Sequence, residues 1–186
     1  MGAGVTGPRL AAGELNYDAI GATERGPLPP HVESVTTRAH LGEGQAAYWR
    51  VAHGILTWQL QKGAGLRVRA ETAAVVPGTR VISGFGAGPF RINAPCEVVW
   101  VHPPLPGDGP QSAGFGYGTL PGHPVRGEEA FEVEIDGDRR VTIKITAFGT
   151  PSTWFYAAGS AVTKWARSRV TSRYIESARQ LAAGES

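Results

Sequence analysis

The segment AFEVEIDGDRRVTIKITAFGT, residues 130–150, decides the fold of this chain. Apolar and polar residues alternate over 131–136 and again over 140–147. A period of two is typical of a strand with one buried and one wet face. The residues between the two runs, Asp136-Gly137-Asp138, are typical of a tight turn. The segment therefore predicts two antiparallel strands.

Alternation and the turns between the runs predict five further strands, over residues 31–41, 66–71, 80–85, 90–101 and 114–119. Turn-forming Gly and Pro separate the strands at a spacing of roughly 8–12 residues, which is typical of an all-antiparallel arrangement. One face of such a sheet packs on a core and the other faces water. The chain holds 26 Gly and 14 Pro, a composition that favours turns and short strands over a helical bundle.

Two segments have the helical period instead. Apolar residues at 47, 51, 55 and 58 form one stripe and predict a helix over 43–62. The last helix is capped by Thr150 or Ser152 and runs to about Ala183. The predicted fold is α+β, a strongly curved antiparallel sheet of about seven strands around a long C-terminal helix, with one further helix after the first strand. Because one helix cannot fill such a sheet, the sequence predicts an internal cavity.

Composition limits the classes of protein. The 186 residues fit a single domain, predicted over 17–184 after a flexible, Gly-rich lead over 1–16. A net charge of only +2 argues against nucleic acid as a partner. No apolar run reaches the ~20 residues of a membrane span, so we expect no membrane insertion. The single Cys96 forms no internal disulfide, fits a cytoplasmic location, and is expected to be a buried, inert thiol.

No metal or cofactor is expected either, because the five His have no metal-ligand spacing. The expected partner is an apolar small molecule, and the expected state is a monomer or a homodimer.

Five segments carry a resemblance to a known family. They are NYDAIGAT (16–23), LGEGQAAYWRVAHGILTW (41–58), APCEVVWV (94–101), YGTLPGHPVRGEEAF (117–131) and RSRVTSRY (167–174). The chain resembles a family known only as a domain of unknown function. That family is similar to the START, polyketide-cyclase and pollen-allergen (SRPBCC) superfamily. The resemblance implies the helix-grip fold and an apolar cavity, but no particular reaction.

Glu129 is the first candidate for catalysis. Parity places it with Phe131 on the apolar face, while Glu128 points outward. Apolar surroundings favour the neutral form of an acid, which suits a general acid. The alternative is that Glu129 holds the neighbouring Gly-rich loop by accepting backbone N–H bonds.

Three further polar residues lie close in sequence. Tyr117 is a candidate donor to a substrate oxygen, and Thr119 on the same face is a candidate to orient a substrate hydroxyl. His123, in the loop between the two strands, is a candidate for proton transfer.

Arginine and aromatic residues complete the candidate ligand site. Arg169 and Arg173 fall within the apolar stripe of the last helix. They either reach the cavity mouth or lay their stems on apolar surface with the guanidinium in water. Several aromatic residues either line a pocket for a flat ligand or pack in the core: Tyr17, Trp58, Phe90, Trp100, Phe115, Trp154 and Trp165.

Two functions follow from these residues. The first is a cofactor-free enzyme acting by acid/base chemistry on an apolar, oxygen-bearing molecule, by acetal or aldol cyclisation, dehydration or isomerisation, for example of a polyketide. The alternative is a non-catalytic carrier or sensor of a lipid or isoprenoid. Two titratable groups within hydrogen-bond reach of each other inside the cavity favour the enzyme, and a single hydroxyl favours the carrier.

Overall fold

The computed structural model describes residues 10–85, 92–152 and 160–185. The helices are α1 Ala22–Arg25, α2 Gln45–Leu56, α3 Gln59–Gly63 and α4 Ser160–Ala183. The strands are β1 Ser34–Glu43, β2 Arg67–Ala70, β3 Arg80–Phe85, β4 Ile92–His102, β5 Gln111–Thr119, β6 Val125–Ile135 and β7 Arg140–Pro151.

The strands form one antiparallel, curved sheet in the order β1-β7-β6-β5-β4-β3-β2. The predicted helix-grip architecture is confirmed, including the helix after the first strand and the long C-terminal helix. In the deciding hairpin, Phe131 of β6 lies opposite Ile145 of β7. Asp136 closes the turn, since its carboxylate accepts the N–H groups of Asp138 and Arg140 at 3.0 and 2.9 Å. This bonding is the usual reason for Asp in a turn.

The core lies between the inner face of the sheet and the helices α2, α3 and α4. Phe115 and Phe131 of the sheet and Ile55 of α2 are fully buried there, and Tyr174 of α4 is 2% exposed. Burial of each such side chain stabilises the fold by roughly 1.5–3 kcal/mol. The inner face is thus built from the residues that alternate toward it along each strand.

The predicted helix over 43–62 is two helices. Trp58 separates them with a left-handed backbone, φ 63°. Its indole packs edge-on against Phe115 at a centroid distance of 5.4 Å, and its Nε1 donates to the Thr72 carbonyl at 3.1 Å. The helical stripe predicts the burial of Trp58 but not the break.

The predicted cap of the last helix at Thr150 is wrong, whereas the alternative cap at Ser152 depends on residues 153–159, which lie outside the described residues. Thr150 and Pro151 are the last residues of β7, where they lie opposite Arg126 and Val125 of β6. Pairing with β6 extends the strand beyond the alternating run, and the described helix begins at Ser160.

Residues 10–25, here called the strap, cross the outer face of the sheet. The Leu10 N–H donates to Glu71 at 2.9 Å, and the Arg80 guanidinium donates to the Gly13 carbonyl at 2.7 Å and to the Ala11 carbonyl. These bonds attach residues 10, 11 and 13 to Glu71 and Arg80, and the flexible lead predicted over 1–16 stays a prediction. Close approach of the strap needs glycine at 118, where a Cβ would collide with the Tyr17 ring.

Candidate functional site

The candidate site is a phenol–carboxylate pair on the inner face of the sheet. Tyr117 of β5 and Glu129 of β6 lie opposite each other in register. The Tyr117 hydroxyl donates to Glu129 Oε2 at 2.9 Å. The tyrosine is 6% exposed and Glu129 is half-buried. The structure thus brings together two of the three predicted catalytic residues.

Aromatic rings surround the pair. Phe115 and Phe131 lie 5.6 and 5.7 Å from the Tyr117 ring centroid, and Tyr174 packs edge-on against Phe131 at 4.8 Å. Burial, followed by the charge of Glu129, raises the pKa of Tyr117 and of Tyr174 well above the ordinary value. Both phenols therefore stay protonated near neutral pH and are available as hydrogen-bond donors.

Cys96 of β4 belongs to the same environment. Burial raises the pKa of its thiol, and the charge of Glu129 raises it further. A protonated, buried thiol is a poor nucleophile, which agrees with the inert role predicted for it. Cys96, Tyr117 and Tyr174 therefore keep their protons, and Glu129 is the carboxyl group that lies among them.

His123 is held by its own loop. Its Nδ1 lies 2.9 Å from the backbone N and 2.8 Å from the backbone O of Val125. Burial lowers the pKa of the imidazole to about 4, so the ring is neutral near pH 7. These contacts hold His123 in the turn, and its predicted role in proton transfer stays a prediction.

Thr119 has a structural task as well. Its Oγ1 accepts the Gly127 N–H at 3.0 Å and donates to Asn16 Oδ1 at 2.6 Å. Its hydroxyl thus bonds to the β6 backbone and to the strap, and its predicted role toward a ligand hydroxyl stays a prediction.

Glu128 is the residue that the sequence analysis missed. Its outward direction is as predicted, yet it is 2% exposed because the strap covers it. It accepts bonds from the Tyr17 hydroxyl at 2.7 Å, from the backbone N–H groups of Gly21 and Thr23 at 2.7 and 2.9 Å, and from the Thr23 hydroxyl. Glu128 thus anchors the strap, which is a different segment from the Gly-rich loop considered as the partner of Glu129.

The sequence does indicate that another segment covers the outer face of β5. Residues 114, 116 and 118 of β5 are all glycine. At 116 and 118 a Cβ would collide with Trp100 and Tyr17 respectively. Alternate glycines on one face of a strand indicate close approach of another segment.

Two predicted pocket aromatics lie on this outer face instead. Tyr17 packs edge-on against Phe148 at 5.9 Å while donating to Glu128. Trp100 donates from Nε1 to Thr23 Oγ1 at 2.9 Å. An irregularity in the β4–β5 pairing between Val98 and Trp100 changes the alternation and turns Trp100 outward.

The other aromatic candidates divide in two. Trp58 and Phe115 are buried in the core, on the inner side of the sheet, where Tyr117 and Glu129 also lie. Trp154, Phe90 and the side chain of Trp165 lie outside the described residues.

The two arginine candidates are exposed on α4. They are Arg169 and Arg173, and both alternatives for them, the cavity mouth and water, stay predictions.

A family model described as Domain of unknown function (DUF1990) matches residues 16–177. The chain belongs to this family. A UPF0548 protein of Deinococcus radiodurans is 31% identical over 143 residues, which cover 72% of this chain and 70% of that protein. A UPF0548 protein of Arabidopsis thaliana is 32% identical over 125 residues, 62% of this chain and 56% of that protein's length.

Solved structures share the fold of this DUF1990 member at low identity. A hypothetical protein of Helicobacter pylori matches with a TM-score of 0.60 and 10% identity, covering 96% of this chain and 100% of that one. A norcoclaurine synthase of Thalictrum flavum, in complex with a transition-state analogue, matches with a TM-score of 0.54 and 13% identity over 86% and 100% of the two chains. These likenesses confirm the START-like fold alone.

In the described part of this DUF1990 chain, no helix is long and apolar enough to cross a bilayer, and no three His, Cys, Asp or Glu side chains group as metal ligands. An open pocket of about 320 Å³ lies between α2 and the end of α4, lined by Trp49, Arg50, His53, Gln59, Leu181, Gly184 and Glu185. It is formed by other residues than the Tyr117–Glu129 pair. The predicted internal cavity stays a prediction.

Proposed function

We propose that this protein binds an apolar, oxygen-bearing small molecule against the inner face of the sheet and catalyses a cofactor-free acid/base reaction on it. The observation that carries the proposal is the 2.9 Å hydrogen bond between the Tyr117 hydroxyl and Glu129. A carboxyl group and a phenol are two titratable groups within reach of each other, which is the arrangement that favours an enzyme over a carrier. A pair of this kind can protonate one oxygen while hydrogen-bonding another.

The separate roles that we propose for Tyr117 and Glu129 follow from their charge and burial. Tyr117 keeps its proton because burial and the Glu129 charge both raise its pKa. It therefore acts as the hydrogen-bond donor to a carbonyl or hydroxyl oxygen, and stabilises negative charge that develops there. Glu129 moves the proton. Ring closure, dehydration and isomerisation each need one hydrogen-bond donor and one group that transfers a proton.

The surroundings of the pair support an apolar substrate. The rings of Phe115 and Phe131 pack beside Tyr117, and Tyr174 packs against Phe131, so the surroundings of the pair are apolar, as suits a flat or polycyclic molecule. Among the four predicted polar residues of the described structure, we assign polar recognition to Tyr117 and Glu129, because the Thr119 hydroxyl bonds to Gly127 and Asn16 and the His123 Nδ1 bonds to the Val125 backbone.

The test compares three proteins in a metabolite extract of the host cell. Wild type, Glu129→Gln and the control Glu134→Gln are incubated with the extract, and untargeted mass spectrometry follows which compounds are consumed and formed. Glu134 is paired with Arg38 at 2.6 Å on the exposed side of β6. We expect wild type and Glu134→Gln to convert the same compound, and Glu129→Gln to convert it at least ~100-fold more slowly.

Stability measurements complete the test. If Glu129 is catalytic, Glu129→Gln melts close to wild type. A large drop in melting temperature, or unchanged conversion, contradicts the catalytic proposal.

The second candidate is a carrier or sensor of a lipid or isoprenoid. It is favoured by the number of polar side chains already committed to the fold, His123 and Thr119 among them. Native mass spectrometry of the protein as purified tests it. An apolar molecule that co-purifies and is released unchanged supports the carrier, whereas a clean apo mass together with conversion in the extract supports the enzyme.

A further inference from the structure

The two edges of the sheet differ in length and in charge. The strand order places the four-residue β2 at one edge and the ten-residue β1 at the other. The exposed Arg67 and Arg69 lie on β2, and short edge strands with charged side chains are protected against pairing with another chain. The β1 strand begins instead with three exposed, uncharged residues, Ser34, Val35 and Thr36. The β2 edge is thus protected, and the β1 edge is not.

Alternate residues of β1 direct their backbone groups away from the sheet. The Gly149 N–H donates to the Glu33 carbonyl at 3.1 Å, and this pair continues the register in which Ser34 lies opposite Phe148. Hydrogen-bonded pairs recur at every second residue of an antiparallel ladder. The backbone groups of residues 35, 37 and 39 therefore bond to β7. Those of residues 34, 36, 38 and 40 point out of the edge.

The sequence of β1 does not block this edge. There is no Pro and no Lys from Ser34 to His40, and the pairing with β7 is regular as far as His40. The one arginine of the segment, Arg38, binds Glu134 of β6 at 2.6 Å. Because β7 lies between β1 and β6, the Arg38 side chain leans away from the edge. A long, regular edge of this kind can pair with a strand of another chain.

We propose that two copies of this chain pair antiparallel through β1, with a two-fold axis at Thr37. In this register Thr36 of one copy lies opposite Arg38 of the second copy, and Ser34 lies opposite His40. The backbone groups that point out of the edge then exchange hydrogen bonds between the copies. The two sheets become one continuous sheet.

The pattern of β1 favours this register over its neighbours. The axis at Thr37 uses the whole regular segment from Ser34 to His40. An axis at Arg38 would place the two arginines opposite each other, and like charges that face each other destabilise a strand pair. On the inner side, Val35, which is 41% exposed, meets Ala39 of the second copy. Because β1 is complementary to itself and two-fold dimers are the commonest assemblies, the occupant is a second copy.

A disulfide across the axis tests both the pairing and its register. Facing residues at a non-hydrogen-bonded position such as Thr37 have Cα atoms about 4.5 Å apart, which a disulfide can span. The native Cys96 is buried and does not compete. We expect Thr37→Cys to form a covalent dimer under mild oxidation, seen by non-reducing electrophoresis. In the control Val35→Cys the two thiols do not face each other, and the chains stay separate.

Sedimentation equilibrium of the full chain measures the dimer without a cross-link. We expect wild type to be a dimer at about 100 µM and Thr36→Pro to dissociate at least ~10-fold more readily, because proline removes an N–H that points to the second copy. The matched control is Ala70→Pro. The Glu71 N–H donates to the Arg80 carbonyl at 3.0 Å, so the Ala70 N–H points out of the β2 edge. This variant should stay a dimer.

A second variant applies if Thr36→Pro does not fold. Thr36→Lys keeps the backbone and sets a cation opposite Arg38 of the second copy, so it should also weaken the dimer. Wild type that sediments as a monomer overturns the proposal, as does a dimer that Ala70→Pro weakens as much as Thr36→Pro. Cross-linking of Val35→Cys as fast as Thr37→Cys overturns the register.

Discussion

Glu128 and Glu129 are consecutive residues of β6 whose carboxylates lie on opposite faces of the sheet. Glu128 accepts bonds from the strap, including the Tyr17 hydroxyl and the Gly21 N–H, both at 2.7 Å. Glu129 accepts from Tyr117 at 2.9 Å on the inner face. Two adjacent residues thus carry a carboxylate that stabilises the fold and a carboxylate that is a candidate for catalysis. Substitution of one is therefore a control for substitution of the other.

The first prediction concerns Glu128. We expect Glu128→Gln to lower the free energy of unfolding by about 3 kcal/mol, because an amide nitrogen replaces an acceptor that faces buried donors. Urea denaturation measures the change. The control Glu134→Gln loses only the exposed pair with Arg38 and should cost less than about 1 kcal/mol. Equal effects of the two substitutions would show that the bonds between Glu128 and the strap stabilise the protein no more than an exposed ion pair does.

The sequence was sufficient to predict the sheet because the deciding pattern is local. Strong alternation over 131–147 and in the other strands predicts which residues face the core, and the structure confirms the antiparallel order. The strand Arg80–Phe85 has the predicted bounds. The break at Trp58 was not predictable, because a contact with Phe115 and a bond to Thr72 hold a backbone conformation that the helical stripe does not encode.

The site was predictable only in part, for a similar reason. Parity gives the direction of Glu129 and of Glu128, and both directions are correct. The alternation of residues along a strand does not predict which segment covers the outer face of the sheet. The strap has little regular structure of its own, and bonds to distant residues such as Arg80 and Glu128 hold it. Tyr174 was visible as part of an apolar stripe, but its proximity to Tyr117 depends on how α4 packs.

The second prediction concerns the close approach at Gly118. We expect Gly118→Ala to destabilise the protein by about 1–3 kcal/mol, because the added methyl group meets the Tyr17 ring. Thermal unfolding measures the change, and amide hydrogen exchange over residues 16–25 should become faster. At Gly137 a Cβ meets nothing within 4 Å, so Gly137→Ala is the control with little effect. Unchanged exchange in Gly118→Ala would contradict the tight fit of the strap.

The third prediction concerns Gln61 of α3. Gln61 is fully buried, and neither the nitrogen nor the oxygen of its side-chain amide has a hydrogen-bond partner among the residues that the structure describes. An unsatisfied buried amide costs free energy. We therefore expect Gln61→Met, which is similar in volume, to raise the free energy of unfolding by about 1–2 kcal/mol. The exposed neighbour Gln59→Met serves as the control. A lower melting temperature for Gln61→Met would show that the amide makes a stabilising bond.

The last prediction is a pH dependence that originates at His123. Burial lowers the pKa of the folded imidazole from 6.5 to about 4, so the unfolded chain binds the proton first as the pH falls. The stability contributed by the neutral ring is fully present above pH 6.5 and is lost progressively between pH 6.5 and about 4. His123→Asn keeps a polar side chain beside Val125 and does not titrate. In urea denaturation at several pH values, we expect wild type to lose more stability than His123→Asn over this window. The two proteins should have parallel profiles above it. Profiles that stay parallel down to pH 4 would show that His123 titrates equally in the folded and unfolded chains, and that its ring is open to water.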